Sequence, residues 1–244
     1  VLVPGLGGLP EGRKRADLGS LGQLSELETD EPFRIWLLDS PGFRGHRRIY
    51  QSEPGGAWPD EAERFDELAR GAAWIGAGRL GLRWQPHVVH CHDWATGLVP
   101  VRLLLDRVPV ASVFTIHNLA HQGQFPIDTL GRLGLPAWLG HSEALEFWGR
   151  LCFMKGGLNF ADRLTTVSPR YAKEILGPGF GHGLEGVLGR RAADLSGILN
   201  GLDLEEWDPA TDPALPHPFS GARPAGKSKA KSVIEAELGL EPGP

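Results

Sequence analysis

The stretch Val88-Val89-His90-Cys91-His92-Asp93-Trp94, answered further on by Val113-Phe114-Thr115-Ile116-His117-Asn118, decides the fold of this chain. Each part is a short apolar run closed by side chains that donate and accept hydrogen bonds. His87-Val88-Val89-His90 reads as a strand, Asp93 is placed to cap a helix running from Trp94 to about Asp106, and Val113-Phe114-Thr115-Ile116 is the next strand. Strand, helix and strand within about thirty residues make a βαβ unit, because parallel strands need such a crossover. The expected fold is therefore α/β, a Rossmann-like doubly wound and mainly parallel sheet. Ligands of such sheets bind outside the carboxyl ends of the strands, where His90, His92, Asp93, His117 and Asn118 all fall.

The pattern extends in both directions. Before this unit, Asp60 can cap a helix whose apolar positions Ala62, Phe65, Leu68, Ala72 and Ile75 fall at helical spacing. The first sixty or so residues read as loop-heavy, with one clear strand, Phe33-Arg34-Ile35-Trp36-Leu37-Leu38-Asp39. After the unit, an amphipathic stretch from about Phe147 to Ala161 leads into the strand Arg163-Leu164-Thr165-Thr166-Val167. Ser168-Pro169 then opens a helix to Leu176, serine as cap and proline at the first helical position. Gly197-Ile198-Leu199 is a third strand, ending on Asn200-Gly201, and Lys227 to Leu238 is helical.

Composition narrows the function. A 244-residue chain with 41% hydrophobic residues has room for a sizeable core. Its formal charge of −5 gives no basic footprint for nucleic acid or an anionic membrane surface. No apolar stretch approaches a membrane span, and the two distant cysteines, Cys91 and Cys152, suit buried thiols in a reducing cytoplasm better than a disulfide. Val1-Leu2-Val3-Pro4 reads as the end of a strand and Glu241-Pro242-Gly243-Pro244 closes a helical stretch abruptly, so the chain reads as cut at both ends.

Two chemistries are open for the strand ends. His90 and His92 stand two apart and can face one side beside Asp93, an arrangement able to ligate a divalent metal in a hydrolase. The other reading has His90 packed on the sheet and Asp93 as a helix cap or sugar ligand, since no further metal ligands stand at a comparable strand end. After His117-Asn118, the run Leu119-Ala120-His121-Gln122-Gly123-Gln124-Phe125-Pro126 is rich in paired donors and acceptors of the kind sugar hydroxyls need. Gly183-Leu184-Glu185-Gly186 is a loop-to-helix turn in which Glu185 opposes anion binding.

Four segments resemble the bacterial members of the glycogen and starch synthase family in order and spacing. They are Val88 to Leu98, Ser112 to Gly123 (with Thr115-Ile116-His117-Asn118), Ala161 to Pro169, and Leu195 to Asp203 (with Asn200-Gly201-Leu202-Asp203). The resemblance implies two Rossmann-like domains facing a cleft, the GT-B arrangement. It also implies retaining transfer of glucose from ADP-glucose to the non-reducing end of an α-1,4-glucan such as glycogen, with no cofactor or metal. It puts His117 near the 6-hydroxyl of the transferred glucose and Asp93 on sugar hydroxyls, with Asn118 and Asn200 lining the cleft. Trp58 stands where the family's helix start, Tyr-x-Asp-Asn-x-x-Arg-Phe, has its aromatic contact; here that motif reads Trp58-Pro59-Asp60-Glu61-Ala62-Glu63-Arg64-Phe65.

The same resemblance organises the chain. Residues 1–213 correspond to the N-terminal catalytic domain without its first strand and that strand's Lys-Thr-Gly-Gly-Leu loop, and residues 214–244 to the crossing towards a C-terminal domain. The diphosphate-binding residues belong to that second domain, so the chain is expected to be inactive alone. A non-catalytic glucan-binding fragment and a metal-dependent hydrolase using His90, His92 and Asp93 are the rival expectations.

Overall fold

The computed structural model describes residues 1–50, 56 and 58–243. They form two compact units, Val1–Leu199 and Asn200–Pro244. Within the first unit, β1 (Leu2–Pro4), β4 (Ile35–Asp39), β3 (Gln23–Leu27) and β2 (Arg13–Asp17) lie side by side in that order. β1 runs parallel to β4, whereas β3 is antiparallel to both β4 and β2. Trp36, Leu37 and Leu38 bury the centre of this sheet, and Phe33 remains exposed ahead of the strand.

The loop-heavy expectation for this region is thus corrected by β2 and β3. Arg13-Lys14-Arg15-Ala16-Asp17 has no apolar alternation to betray a strand. It is held by its ladder to β3 and by the Arg15–Glu26 ion pair, and its charges suit the outer edge of a sheet.

The second sheet is parallel throughout, in the order β11 (Leu195–Gly197), β10 (Arg163–Thr166), β6 (Ala111–Ile116) and β5 (Val88–His92). This is the doubly wound, Rossmann-like arrangement that the βαβ pattern requires. β1 and β5 each stand at the end of their sheet. The last strand lies earlier than the run Gly197-Ile198-Leu199 suggests: Leu195 pairs with Leu164, while Ile198 and Leu199 are exposed. Pairing register, rather than local apolarity, sets that strand.

Helix α1 (Glu61–Gly76) buries Ala62, Phe65, Leu68, Ala69 and Ala73. Asp60 precedes it without a side-chain capping bond, which corrects its expected role. The single helix expected from Trp94 is instead a 3-10 turn, Trp94–Thr96, followed by α2 (Val99–Leu105), with Pro100 in the first turn of α2, where proline is tolerated. α1 and α2 are joined by a doubly bonded pair, Arg102 Nε to Asp66 Oδ1 at 2.8 Å and Nη2 to Oδ2 at 2.7 Å.

Short helices α3 (Thr129–Arg132), α5 (Pro169–Glu174) and α6 (Glu185–Arg190) fill the connections. Ser168 caps α5 as its sequence predicts, accepting the Tyr171 N–H at 2.9 Å. Helix α4 (Phe153–Phe160) packs beside the parallel sheet, where Gly157 leaves room for the Phe114 ring. The amphipathic stretch from Phe147 is therefore helical only from Phe153.

The residues before α4 complete a small antiparallel sheet in the order β7 (Gln124–Pro126), β9 (Arg150–Cys152), β8 (Glu146–Phe147), and β8 turns into β9 through Trp148-Gly149. The second unit carries helix α7 (Ala225–Glu237). Among the described residues no helix is long and apolar enough to cross a membrane.

Candidate functional site

The carboxyl ends of β5 and β6 meet through Asp93. Its backbone is at φ 55° and ψ −177°, a region almost reserved for glycine and worth about 1–3 kcal/mol of strain for other residues. The Asp93 N–H donates to Thr115 O at 2.9 Å, which fixes the residue against β6. Its Oδ1 then accepts the backbone N–H groups of His117 at 2.8 Å and Asn118 at 3.3 Å. The carboxylate consequently holds the β6 loop and does not cap the turn that follows it, as the sequence had suggested. Asn118 Oδ1 accepts the Ala120 N–H at 3.0 Å, leaving its carboxamide nitrogen exposed at the loop.

Three histidines stand beside this junction. The rings of His90 and His92 lie 4.3 Å apart on one side of β5, as their spacing predicts. His92 Nδ1 and His117 Nε2 share one hydrogen bond of 3.0 Å, and His90 Nε2 meets Thr115 Oγ1 at 2.6 Å. Burial lowers the His90 pKa, reinforced by His117; burial lowers that of His92 too, with His90 and His117 adding to it and Asp93 opposing. One ring nitrogen of each of the three histidines is thus engaged by a neighbouring histidine or by threonine. Among the described residues no three His, Cys, Asp or Glu side chains are grouped to hold a metal ion. Cys91, between the two histidines, faces the other way into the core, and burial pushes its thiol up to about 12.

A cavity of about 370 Å³ opens beside the junction, lined by Glu61, Trp94 and residues 120–125. Gly123, at φ 59°, brings its backbone against the Trp94 ring, an approach that a side chain there would block. Gln122 donates to His182 O at 3.0 Å and accepts from Gln124 Nε2 at 2.6 Å, so it braces the wall, while His121 and Gln124 are exposed. Among the described residues, no lysine or arginine lines this cavity. Its chemistry suits a neutral polyhydroxyl compound better than a diphosphate, which requires cationic partners.

Tyr50, which sequence reasoning did not single out, packs against Trp94 at the edge of the site. Its ring lies 5.7 Å from Trp94 and 5.8 Å from Phe65, and burial together with the nearby Asp93 and Glu61 charges raises its pKa. Nothing periodic surrounds it in the sequence; its being one of only two tyrosines was the sole available signal. The structure thus unites Asp93, His117 and Asn118. Trp58 has other ring neighbours, His46 at 4.0 Å and the Arg64 guanidinium at 5.3 Å. Asn200 is exposed as the first residue of the second unit.

Residues 1–190 match the family model described as the starch synthase catalytic domain. The chain is 50% identical over 226 residues to Glycogen synthase 1 of Methylococcus capsulatus, covering 91% of this chain and 46% of that protein. It is 47% identical over 209 residues to the glycogen synthase of Marinobacter nauticus, covering 85% and 43%. Among solved structures it is similar to the catalytic domain of starch synthase IV from Arabidopsis thaliana bound to ADP and acarbose. The TM-score is 0.73 at 26% identity, over 100% of this chain and 52% of that one. The chain spans a little under half the length of the curated relatives it matches.

Proposed function

The chain belongs to the starch synthase catalytic domain family, and from that premise we propose that the enzyme containing it is a glycogen synthase. It transfers glucose from ADP-glucose to the non-reducing end of an α-1,4-glucan, with retention, in the cytoplasm. Residues 1–213 are its acceptor-side domain, and residues 214–244 lead towards a second domain that supplies the diphosphate contacts. The observation that carries this reading is the Asp93 junction: a carboxylate, an imidazole and a carboxamide at adjoining strand ends, beside a cavity with hydrogen-bonding groups in its lining and, among the described residues, no lysine or arginine.

In this reading His117 contacts the transferred glucose near its 6-hydroxyl and Asp93 binds sugar hydroxyls. Asn118 and Asn200 line the cleft, and Trp58 supplies an aromatic contact. Polar groups preset at strand ends lower the entropic cost of positioning a neutral sugar, and stabilisation of the leaving diphosphate falls to charges elsewhere. The full-length enzyme should release ADP and elongate glycogen when given ADP-glucose, whereas this chain alone should bind maltooligosaccharides without turnover. Absence of both ADP release and elongation in the full-length enzyme would refute the assignment.

A further inference from the structure

The β8–β9 hairpin turns on Trp148-Gly149, with φ values of 52° and 78°. A two-residue turn with both central residues at positive φ is the type that Asn-Gly or Asp-Gly adopts without strain. Here the first position holds a tryptophan, the bulkiest side chain, in a conformation that costs bulky residues free energy. Nor does burial compensate: Trp148 is 83% exposed, more than any other large hydrophobic residue described. Its packing is limited to an edge contact with the Phe147 ring at 6.1 Å and to Gly183, so an aromatic ring held largely in water on a strained, tight turn gains little from the fold, and such outliers point to function.

The surroundings indicate what the ring meets. Its edge lies by Gly183, where an added Cβ would stand 3.5 Å from Trp148 Nε1, and the preceding His182 is also left-handed, at φ 48°. His182 O accepts from Gln122, which ties this floor to the wall of the cavity beside Asp93. From the hairpin side, Arg150 Nη2 donates to Gln124 O at 3.0 Å, and the order β7-β9-β8 sets β8 two strand spacings, roughly 10 Å, from β7. Trp148 therefore stands a few sugar units from that cavity, with Arg150 and His182 as polar neighbours.

We propose that Trp148 is a stacking platform for an α-glucan chain, one pyranose lying with its C–H face on the indole outside the cavity bordered by residues 120–125. The proposal rests on the acceptor-domain reading above and extends it to a remote subsite. A flat, amphipathic ring flanked by hydrogen-bonding groups matches a sugar, which is apolar on its faces and polar at its rim.

The test is calorimetric titration of this chain with maltose and with maltoheptaose, comparing wild type, Trp148→Asn and Trp148→Phe. Asparagine suits the turn, so Trp148→Asn should raise Tm while weakening maltoheptaose binding by about fivefold. Maltose affinity should stay unchanged, and Trp148→Phe should restore most of the loss. A purely structural tryptophan would move stability and affinity the same way. Maltoheptaose affinity unchanged in Trp148→Asn overturns the platform while leaving the acceptor-domain reading intact. If wild type binds neither sugar, both fall together.

Discussion

Asp93 and His117 are locked to each other across two strand ends: the Asp93 carboxylate accepts the His117 backbone N–H at 2.8 Å. The side chain of one proposed sugar ligand thus sets the main chain of the other. The dependence runs one way, since a His117 substitution keeps the backbone N–H while an Asp93 substitution removes its acceptor, which makes the choice of substitution at Asp93 informative.

Asp93→Ala removes both accepted hydrogen bonds and keeps the backbone strain, so it should destabilise by about 2 kcal/mol in urea denaturation. Asp93→Gly loses the same bonds but relaxes a φ of 55°, and should fall within about 1 kcal/mol of wild type. Both should abolish activity in the full-length enzyme. Equal destabilisation by alanine and glycine would contradict the strain assigned here.

Acid should weaken the fold through the histidine cluster. The folded-state pKa values of His90 and His92 are depressed, so the unfolded chain takes up protons first. Stability is then fully present above the ordinary histidine value, near 6.5, and is lost as pH falls below it. A Tm profile measured from pH 8 to pH 5 should be flat and then decline. Replacing His90 and His92 with asparagine should flatten the decline; an unchanged slope would assign it to other groups.

The Asp66–Arg102 pair offers a sharper stability test. Burial raises the Asp66 pKa, while Arg102, which also donates to Leu133 O at 2.8 Å, pulls it back. Arg102→Met strands a buried carboxylate and should cost about 3–5 kcal/mol. The double variant Asp66→Leu/Arg102→Met should recover most of that loss, because no unpaired charge remains. Chemical denaturation of the two single variants and the double variant measures the coupling.

Both cysteines should resist alkylation in the native state. Burial pushes Cys91 up to about 12 and Cys152 to about 11, with Lys155 pulling Cys152 down, and both are enclosed in the core. Iodoacetamide at pH 8 followed by mass spectrometry should show neither modified until denaturant is added. Rapid native labelling of either would contradict the packing around α4 and β5.

What was legible in the sequence followed from local chemistry. Val88-Val89 announced β5 because β-branched residues favour extended backbone even on an edge strand where Val88 stays half exposed, and Ser168-Pro169 announced α5 because cap and first turn are adjacent in the chain. What escaped depends on partners distant in sequence. Arg13–Asp17 becomes a strand only through Gln23–Leu27. Trp148-Gly149 gave no turn signal because tryptophan is the wrong residue for that turn. Within the site, His90, His92, Asp93, His117 and Asn118 are visible as strand ends, but the helix cap expected of Asp93 does not form. Capping is the usual work of an aspartate before a helix, and only its left-handed backbone turns the carboxylate back to β6.

β1 and β5 each end a sheet, and Val88 on β5 is half exposed. Parallel-type rims of this kind, which include β11 at the other end of the parallel sheet, present backbone donors and acceptors that make this chain, expressed by itself, adhesive: a rim can recruit a strand from a neighbouring molecule. Its handling in solution is therefore governed less by the stability of its core than by concentration. Dilution, or a short added peptide able to occupy one rim, should do more to keep it dispersed than any substitution inside the fold.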